Sequence, residues 1–129
     1  MNDNEMNLFL TEIGGLKHYF SGTKIISLKG FGIGNGWYGL IKETIEKLIA
    51  NGWNREILDI KEKFGGLRFY INDGNEKLFK IIENSENKSY RICEITGKKG
   101  KLRKDITWIK TLCDEEYEKI TNKIKENEK

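Results

Sequence analysis

The chain has 129 residues, of which 37% are hydrophobic, 11% aromatic and 33% charged, with a net charge of +3. That length and apolar content predict one domain with its own core and argue against a disordered chain. The mild positive balance permits a nucleic-acid partner without requiring one, and the short apolar runs exclude a membrane-spanning helix. The N-terminus, Met1-Asn-Asp-Asn-Glu5, is polar and acidic, unlike a secretion signal. Two cysteines without an export signal point to reduced thiols and a cytoplasmic location.

In chain order, Met6, Phe9, Leu10 and Ile13 recur at helical spacing and predict a first helix over about 4–13, stopped by Gly14-Gly15. Residues 24–28 read as a short strand, followed by the glycine-rich stretch 30–36. A second helix carries Trp37, Leu40, Ile41, Ile45, Leu48 and Ile49 on one stripe and ends at Asn51-Gly52. Two strands over about 56–64 and 67–72 form a hairpin. A third helix carries Leu78, Ile81 and Ile82, and the polar residues 84–90 read as a loop. Short strands are expected near 90–93 and 107–112. Asp114 then caps a last helix whose buried stripe would be Tyr117, Ile120 and Ile124, with a frayed charged tail from Lys125. The predicted class is α+β. A small antiparallel sheet centred on the hairpin would be packed by about four helices, with 1–89 as the α+β core and 90–129 as a C-terminal element ending in the last helix, all within one compact domain.

The most informative string is Lys61-Glu-Lys-Phe-Gly-Gly-Leu-Arg-Phe-Tyr70. Taking Gly65-Gly66 as a two-residue turn sets Phe64 opposite Leu67, Lys63 opposite Arg68, Glu62 opposite Phe69 and Lys61 opposite Tyr70. Alternation then turns Ile60, Phe64, Leu67, Phe69 and Ile71 inward and Lys61, Lys63, Arg68 and Tyr70 outward. The outward set suits an anionic ligand, although a plain solvated face fits the same pattern. Glu62 falls among apolar neighbours and must find a cation or hydrogen-bond donors, or take up a proton; an arginine or lysine from the C-terminal third is the expected partner, and a catalytic role is the alternative.

Gly34-Asn-Gly36-Trp-Tyr-Gly39 matches the dinucleotide fingerprint G-x-G-x-x-G. The match is rejected, because the next strand turns straight into a hairpin and Trp37 and Tyr38 would crowd a pyrophosphate. A weaker reading survives in which amides at Gly36 and Trp37 hold an anion at the helix start; the alternative is that the glycines make a tight turn and let the helix pack closely. Cys93-Glu-Ile-Thr-Gly97 and Leu112-Cys113-Asp-Glu-Glu116 look like two half-knuckles, but the ligand positions read Cys93, Thr96, Cys113 and Glu116. Two thiolates make a poor zinc site, so no cofactor is expected, with Cys93 and Cys113 as the metal candidates if zinc is held. His18, the single histidine, reads as structural. Between the cysteines, Lys98-Lys99-Gly-Lys101-Leu-Arg103-Lys104 is the densest positive charge, with Trp108 close behind. Lys99, Lys101, Arg103 and Lys104 would extend an anion-binding surface if this element folds beside the hairpin.

Gly36-Trp37 opening a helix, the 61–70 hairpin, Cys-Glu-x-x-Gly and Trp-x-x-Thr-Leu-Cys-Asp together resemble a group of small bacteriophage and prophage proteins, over about residues 34–116. The resemblance implies a zinc-ribbon-like C-terminal element whose ligands are partly replaced here at Thr96 and Glu116. It also implies an accessory protein acting in the host cytoplasm, of a kind that often counters host defence. The expectation is therefore a non-enzymatic protein that binds a nucleotide or a nucleic-acid backbone. The alternatives are an inhibitor of a host defence protein and a small nucleotide-processing enzyme. No membrane partner is expected, and a homo-oligomer is left open.

Overall fold

A computed structural model describes residues 1–127; the last two residues of the charged tail lie outside the described residues. The order is α1 (Asp3–Glu12), β1 (Leu16–His18), β2 (Lys24–Ile25), α2 (Tyr38–Ala50), β3 (Glu56–Lys63), β4 (Gly66–Ile71), α3 (Glu76–Ser89), β5 (Lys101–Arg103), β6 (Lys110–Leu112) and α4 (Asp114–Asn127). Short 3-10 turns at Lys29–Phe31 and Asn35–Trp37 precede α2. The class is α+β.

The main sheet has the order β2-β1-β3-β4 and is mixed, which corrects the antiparallel expectation. β1 pairs antiparallel with β2 but parallel with β3, while β3 and β4 form the hairpin. Leu16, Ile57, Ile60, Leu67, Phe69 and Ile71 make the inner face. The apolar stripes of α1, α2 and α3 close over it, with Trp37, Ile41, Ile45 and Leu48 fully buried. Trp53 packs edge-on against Phe69, with 5.9 Å between ring centroids. Asn2 and Glu5 form a capping box at the start of α1, and the Asn75 side chain caps α3.

The hairpin register differs from the sequence reading. Lys63 pairs with Gly66, Glu62 with Leu67, Lys61 with Arg68, Ile60 with Phe69 and Asp59 with Tyr70, and a bulge lies between Ile57 and Asp59. The turn residues are Phe64 and Gly65, at φ 52° and 86°, so Phe64 is not a core residue. Its ring is 67% exposed. The second glycine has another job: a Cβ on Gly66 would lie 2.4 Å from the Tyr90 ring. Packing at Gly66, rather than turn geometry, requires a glycine there.

α3 continues to Ser89, where the sequence reads as a loop from 84. Its polar second half lies along the outer edge of β4. Ser89 Oγ accepts the Leu67 amide at 2.9 Å, and a Glu86 oxygen accepts the Phe69 amide at 3.0 Å. Side chains thereby satisfy an edge that would otherwise offer unpaired donors.

Residues 90–93 form no strand; Ile92 makes only an isolated bridge to Lys99. β5 and β6 form a second small sheet over a second apolar cluster of Cys93, Leu112 and Cys113. Tyr117 and Ile120 of α4 pack at its margin, but no residue of α4 is buried and Ile124 is exposed. The buried stripe expected of the last helix is therefore only half realised.

Candidate anion-binding face

Three helices occupy one side of the main sheet and leave the other side open. Because strand side chains alternate, the residues between the buried ones point outward. These are Lys17 on β1, Lys24 on β2, Glu56, Asp59, Lys61 and Lys63 on β3, and Arg68 and Tyr70 on β4. Five cations therefore share the face with two carboxylates. Both carboxylates have internal partners: Glu56 accepts from Asn72, and Asp59 accepts the Ile60 amide. Among the described residues, Lys17, Lys24, Lys61 and Lys63 make no ion pair. The outward placement of Lys61, Lys63, Arg68 and Tyr70 matches the sequence reading even though the register differs.

The lysines lie beside rings. Lys61 Nζ is 5.5 Å from the Tyr70 centroid, and Lys63 Nζ is 5.8 Å from that of Phe64. Such contacts stabilise an exposed ammonium by roughly 0.5–1 kcal/mol and leave its donors free. Arg68 is different. It faces Lys61 directly, an unfavourable like-charge pairing. Its guanidinium turns aside to donate to the Tyr90 hydroxyl at 3.0 Å and to the Leu67 carbonyl at 3.0 Å. Burial draws its pKa down, but the Tyr90 hydrogen bond and the Tyr90 and Glu86 charges outweigh it and set it above the ordinary arginine value. Arg68 contributes positive field to the face more than free donors.

Glu62 finds a cation from the C-terminal third, the partner expected from the sequence. Lys110 Nζ lies 2.7 Å from Glu62 Oε1 and 3.4 Å from Glu94 Oε1. Glu62 Oε2 also accepts the Gly65 amide at 2.9 Å. Burial draws the Lys110 ammonium down, but the Glu62 hydrogen bond and the Glu94 charge hold it above the usual lysine range. Lys110 thus joins the second hairpin to the tip of the first. Thr111 Oγ1 reinforces the joint by donating to the Gly65 carbonyl at 2.6 Å.

The glycine-rich stretch serves the same assembly. The Gly36 amide donates to the Glu94 carbonyl at 2.8 Å, and the Gly34 amide donates to Glu94 Oε2 at 3.0 Å. A Cβ on Gly36 would lie 2.3 Å from the Cys93 carbonyl oxygen, and one on Gly34 would lie 2.3 Å from that of Glu94. Trp37 is fully buried and its indole N–H donates to the Ile92 carbonyl. Gly36 and Trp37 therefore dock the 93–97 knuckle, and the Gly36 amide and the Trp37 indole N–H are already committed within the chain.

Within the knuckle, Cys93 and Cys113 are buried free thiols. The Thr96 amide donates to Cys93 Sγ at 3.4 Å and the Thr96 hydroxyl to Cys113 Sγ at 3.6 Å. Burial pushes the Cys93 thiol up, but the Thr96 hydroxyl and the amides of Cys113, Thr96 and Ile95 outweigh it and bring it below the ordinary thiol value. Glu116 pairs with Lys119. Among the described residues, no three metal-binding side chains converge. Thr96 stands as a hydrogen-bonding link between the two thiols.

The basic segment is split in its roles. Arg103 donates to Asp114 at 2.7 Å and stacks on Tyr117, and Lys98 pairs with Glu115 at 3.8 Å. Lys99, Lys101 and Lys104 make no ion pair among the described residues; in this segment Leu102 meets the hairpin at Gly65, and alternation along β5 turns Lys101 to the opposite face with Arg103. His18 is the last residue of β1, its Nδ1 facing Ser21 in the turn that follows. No family model, curated protein or solved structure matches the chain.

Sequence reasoning missed Lys17, Lys24 and Phe64. Lys17 and Lys24 join the face only through the parallel pairing of β1 with β3, which no local pattern announces. Phe64 was legible in principle: the residue before a Gly-Gly pair is itself a candidate turn position.

Proposed function

We propose that the protein is a non-enzymatic binder of a polyanion, acting through the outer face of its mixed sheet. The observation that supports this most is the set Lys17, Lys24, Lys61 and Lys63 on an uncovered face, with no carboxylate bonded to any of them among the described residues. Like charges gathered without ion pairs repel one another, and an anionic partner relieves that repulsion. The larger concavities lie along α3, between α4 and residues 106–110, and around the β1–β2 turn, where Lys24 lines one and, with Lys17, a smaller neighbour. Lys61 and Lys63 line none of these concavities, and an open lysine surface suits an extended phosphate backbone better than a single enclosed nucleotide. The motif resemblance to phage and prophage accessory proteins supports a setting in host cytoplasm, where capture of nucleic acid or a nucleotide signal would counter host defence.

The test is binding of the full chain to inorganic polyphosphate and to oligonucleotides at several salt concentrations. Replacing Lys61 and Lys63 together by alanine is expected to weaken binding about tenfold or more and to lower the salt slope by roughly two. The thermal midpoint should stay unchanged. Wild-type affinity in this double variant for every polyanion tried would sink the reading.

A further inference from the structure

Phe64 is in the wrong place for folding. It occupies the first position of a two-residue hairpin turn at φ 52°, where Asn, Asp or Gly is favoured and a bulky side chain is an outlier. Nothing in the core repays this, because the ring is 67% exposed. A strained, exposed aromatic that the fold does not need is an observation from which function can be inferred. A second exposed aromatic, Tyr70, lies on the same hairpin.

The pairing places these residues in order. Tyr70 is level with Asp59, Lys61 lies two residues further along β3, Lys63 two more, and Phe64 follows at the tip. Strand residues on one face are about 6.6 Å apart, so the levels of Tyr70 and Lys63 are separated by about 13 Å, with Phe64 beyond. The face therefore runs aromatic, lysine, lysine, aromatic, each lysine lying over its neighbouring ring. This matches the chemistry of a single-stranded nucleic acid, whose unpaired bases stack on flat rings while phosphates between them meet ammonium groups. A duplex offers the phosphates but keeps its base faces inside its own stack. We infer that the polyanion is single-stranded nucleic acid, with bases stacked on Tyr70 and Phe64 and the backbone held by Lys61 and Lys63. This inference rests on the polyanion-binding reading and adds the strandedness and the stacking residues.

The experiment is fluorescence anisotropy of the full chain with a labelled homopyrimidine strand, as DNA and as RNA, alone and annealed to its complement, with polyphosphate as the base-free competitor. The single strand should bind more tightly than the duplex. Phe64→Asn, which suits the turn better than phenylalanine, should weaken single-strand binding about fivefold or more while leaving polyphosphate binding unchanged. Tyr70→Ala should do the same, and Tyr70→Phe should restore binding. Phe79→Ala, which removes an exposed ring on α3, should change nothing. Equal affinity for strand and duplex, or aromatic variants that bind the strand like wild type, would overturn the stacking inference and leave polyanion binding standing. So would lysine-dependent binding of polyphosphate with no binding of oligonucleotides. If the Lys61 and Lys63 double variant also binds like wild type, both readings fall together.

Discussion

Lys61 and Lys63 leave the sheet into solvent, each beside a ring and neither bonded to a carboxylate among the described residues. Lys98, Arg103 and Lys110, in the part of the chain where basic residues are densest, are each bonded to a carboxylate. Positive charge in sequence is therefore a poor guide to positive charge available to a partner. In the C-terminal element, α4 begins with Asp114, Glu115 and Glu116, and the cations of the preceding loop are close enough in the chain to meet them. On the hairpin, alternation puts lysines on one face while the acids of the same strand either turn inward, as Glu62 does, or bond to near neighbours. The first region uses charge to hold the fold together, and the second holds it in reserve. Mutations that separate assembly from binding test that division.

The largest effect should come from Gly36→Ala. The added methyl group would meet the carbonyl oxygens of Cys93 and Glu94, at 2.3 and 2.5 Å, and backbone cannot step aside as a flexible side chain can. Stability should fall by about 3 kcal/mol, read from denaturant unfolding. This joint reaches the hairpin through Lys110 and the inward Glu62, whereas Lys61 and Lys63 point to the opposite face, so the folded fraction should bind polyanions as before. Loss of binding with intact stability would mean that the glycine amides are themselves the anion site.

Lys110→Met comes next, because it removes the cation shared by Glu62 and Glu94. The ammonium is 32% exposed and the Glu94 side chain 7%, so the cost lies between the surface and buried limits, about 2 kcal/mol. It also has a pH signature. The folded state holds the Lys110 ammonium above its unfolded value, so its contribution is fully present below about pH 10.5 and is lost as pH rises through the folded value. The stability difference between wild type and Lys110→Met should shrink on the alkaline side. A difference that stays constant up to strongly alkaline pH would show that the ion pair is not what joins the two hairpins.

These joints also mark where the sequence was readable. Periodicity locates α1, α2 and the first half of α3, because each presents an apolar stripe to one core. The polar half of α3 reads as a loop, since its work is to supply Ser89 and Glu86 as acceptors for the Leu67 and Phe69 amides, and hydropathy cannot tell such acceptors from solvated residues. β1 is three residues long and exists through pairing with strands on both sides. Gly65-Gly66 suggested the wrong register because two adjacent glycines serve different needs, left-handed backbone at Gly65 and clearance for Tyr90 at Gly66. That Glu62 would need a partner was legible from alternation alone, because a carboxylate on an inner face is costly unless it is paired, hydrogen-bonded or protonated. That the partner would be Lys110 was not, since no local rule connects the two hairpins.

Phe64→Asn should act in the opposite sense to the first two changes. Relieving a left-handed phenylalanine should raise stability by about 1 kcal/mol, visible as a higher denaturant midpoint at unchanged slope. Coupled to the loss of single-strand binding, this would make the hairpin tip a place where stability is given up for function. No gain in stability would mean that the exposed ring makes a contribution to the fold that its surroundings do not reveal.

The smallest effect belongs to Lys98→Ala. Its ion pair with Glu115 is 3.8 Å long, and both side chains are more than 60% exposed. Solvent screening and side-chain entropy leave such a pair worth about 0.5 kcal/mol or less, so thermal and chemical unfolding should hardly move. Its effect on binding carries more information. Lys98 already has a carboxylate partner, so its removal should weaken nucleic-acid binding less than removal of Lys61, although both are exposed lysines in basic segments. Equal losses at the two positions would mean that binding follows overall charge alone, and that the division between committed and reserved cations has no bearing on what the protein recognises.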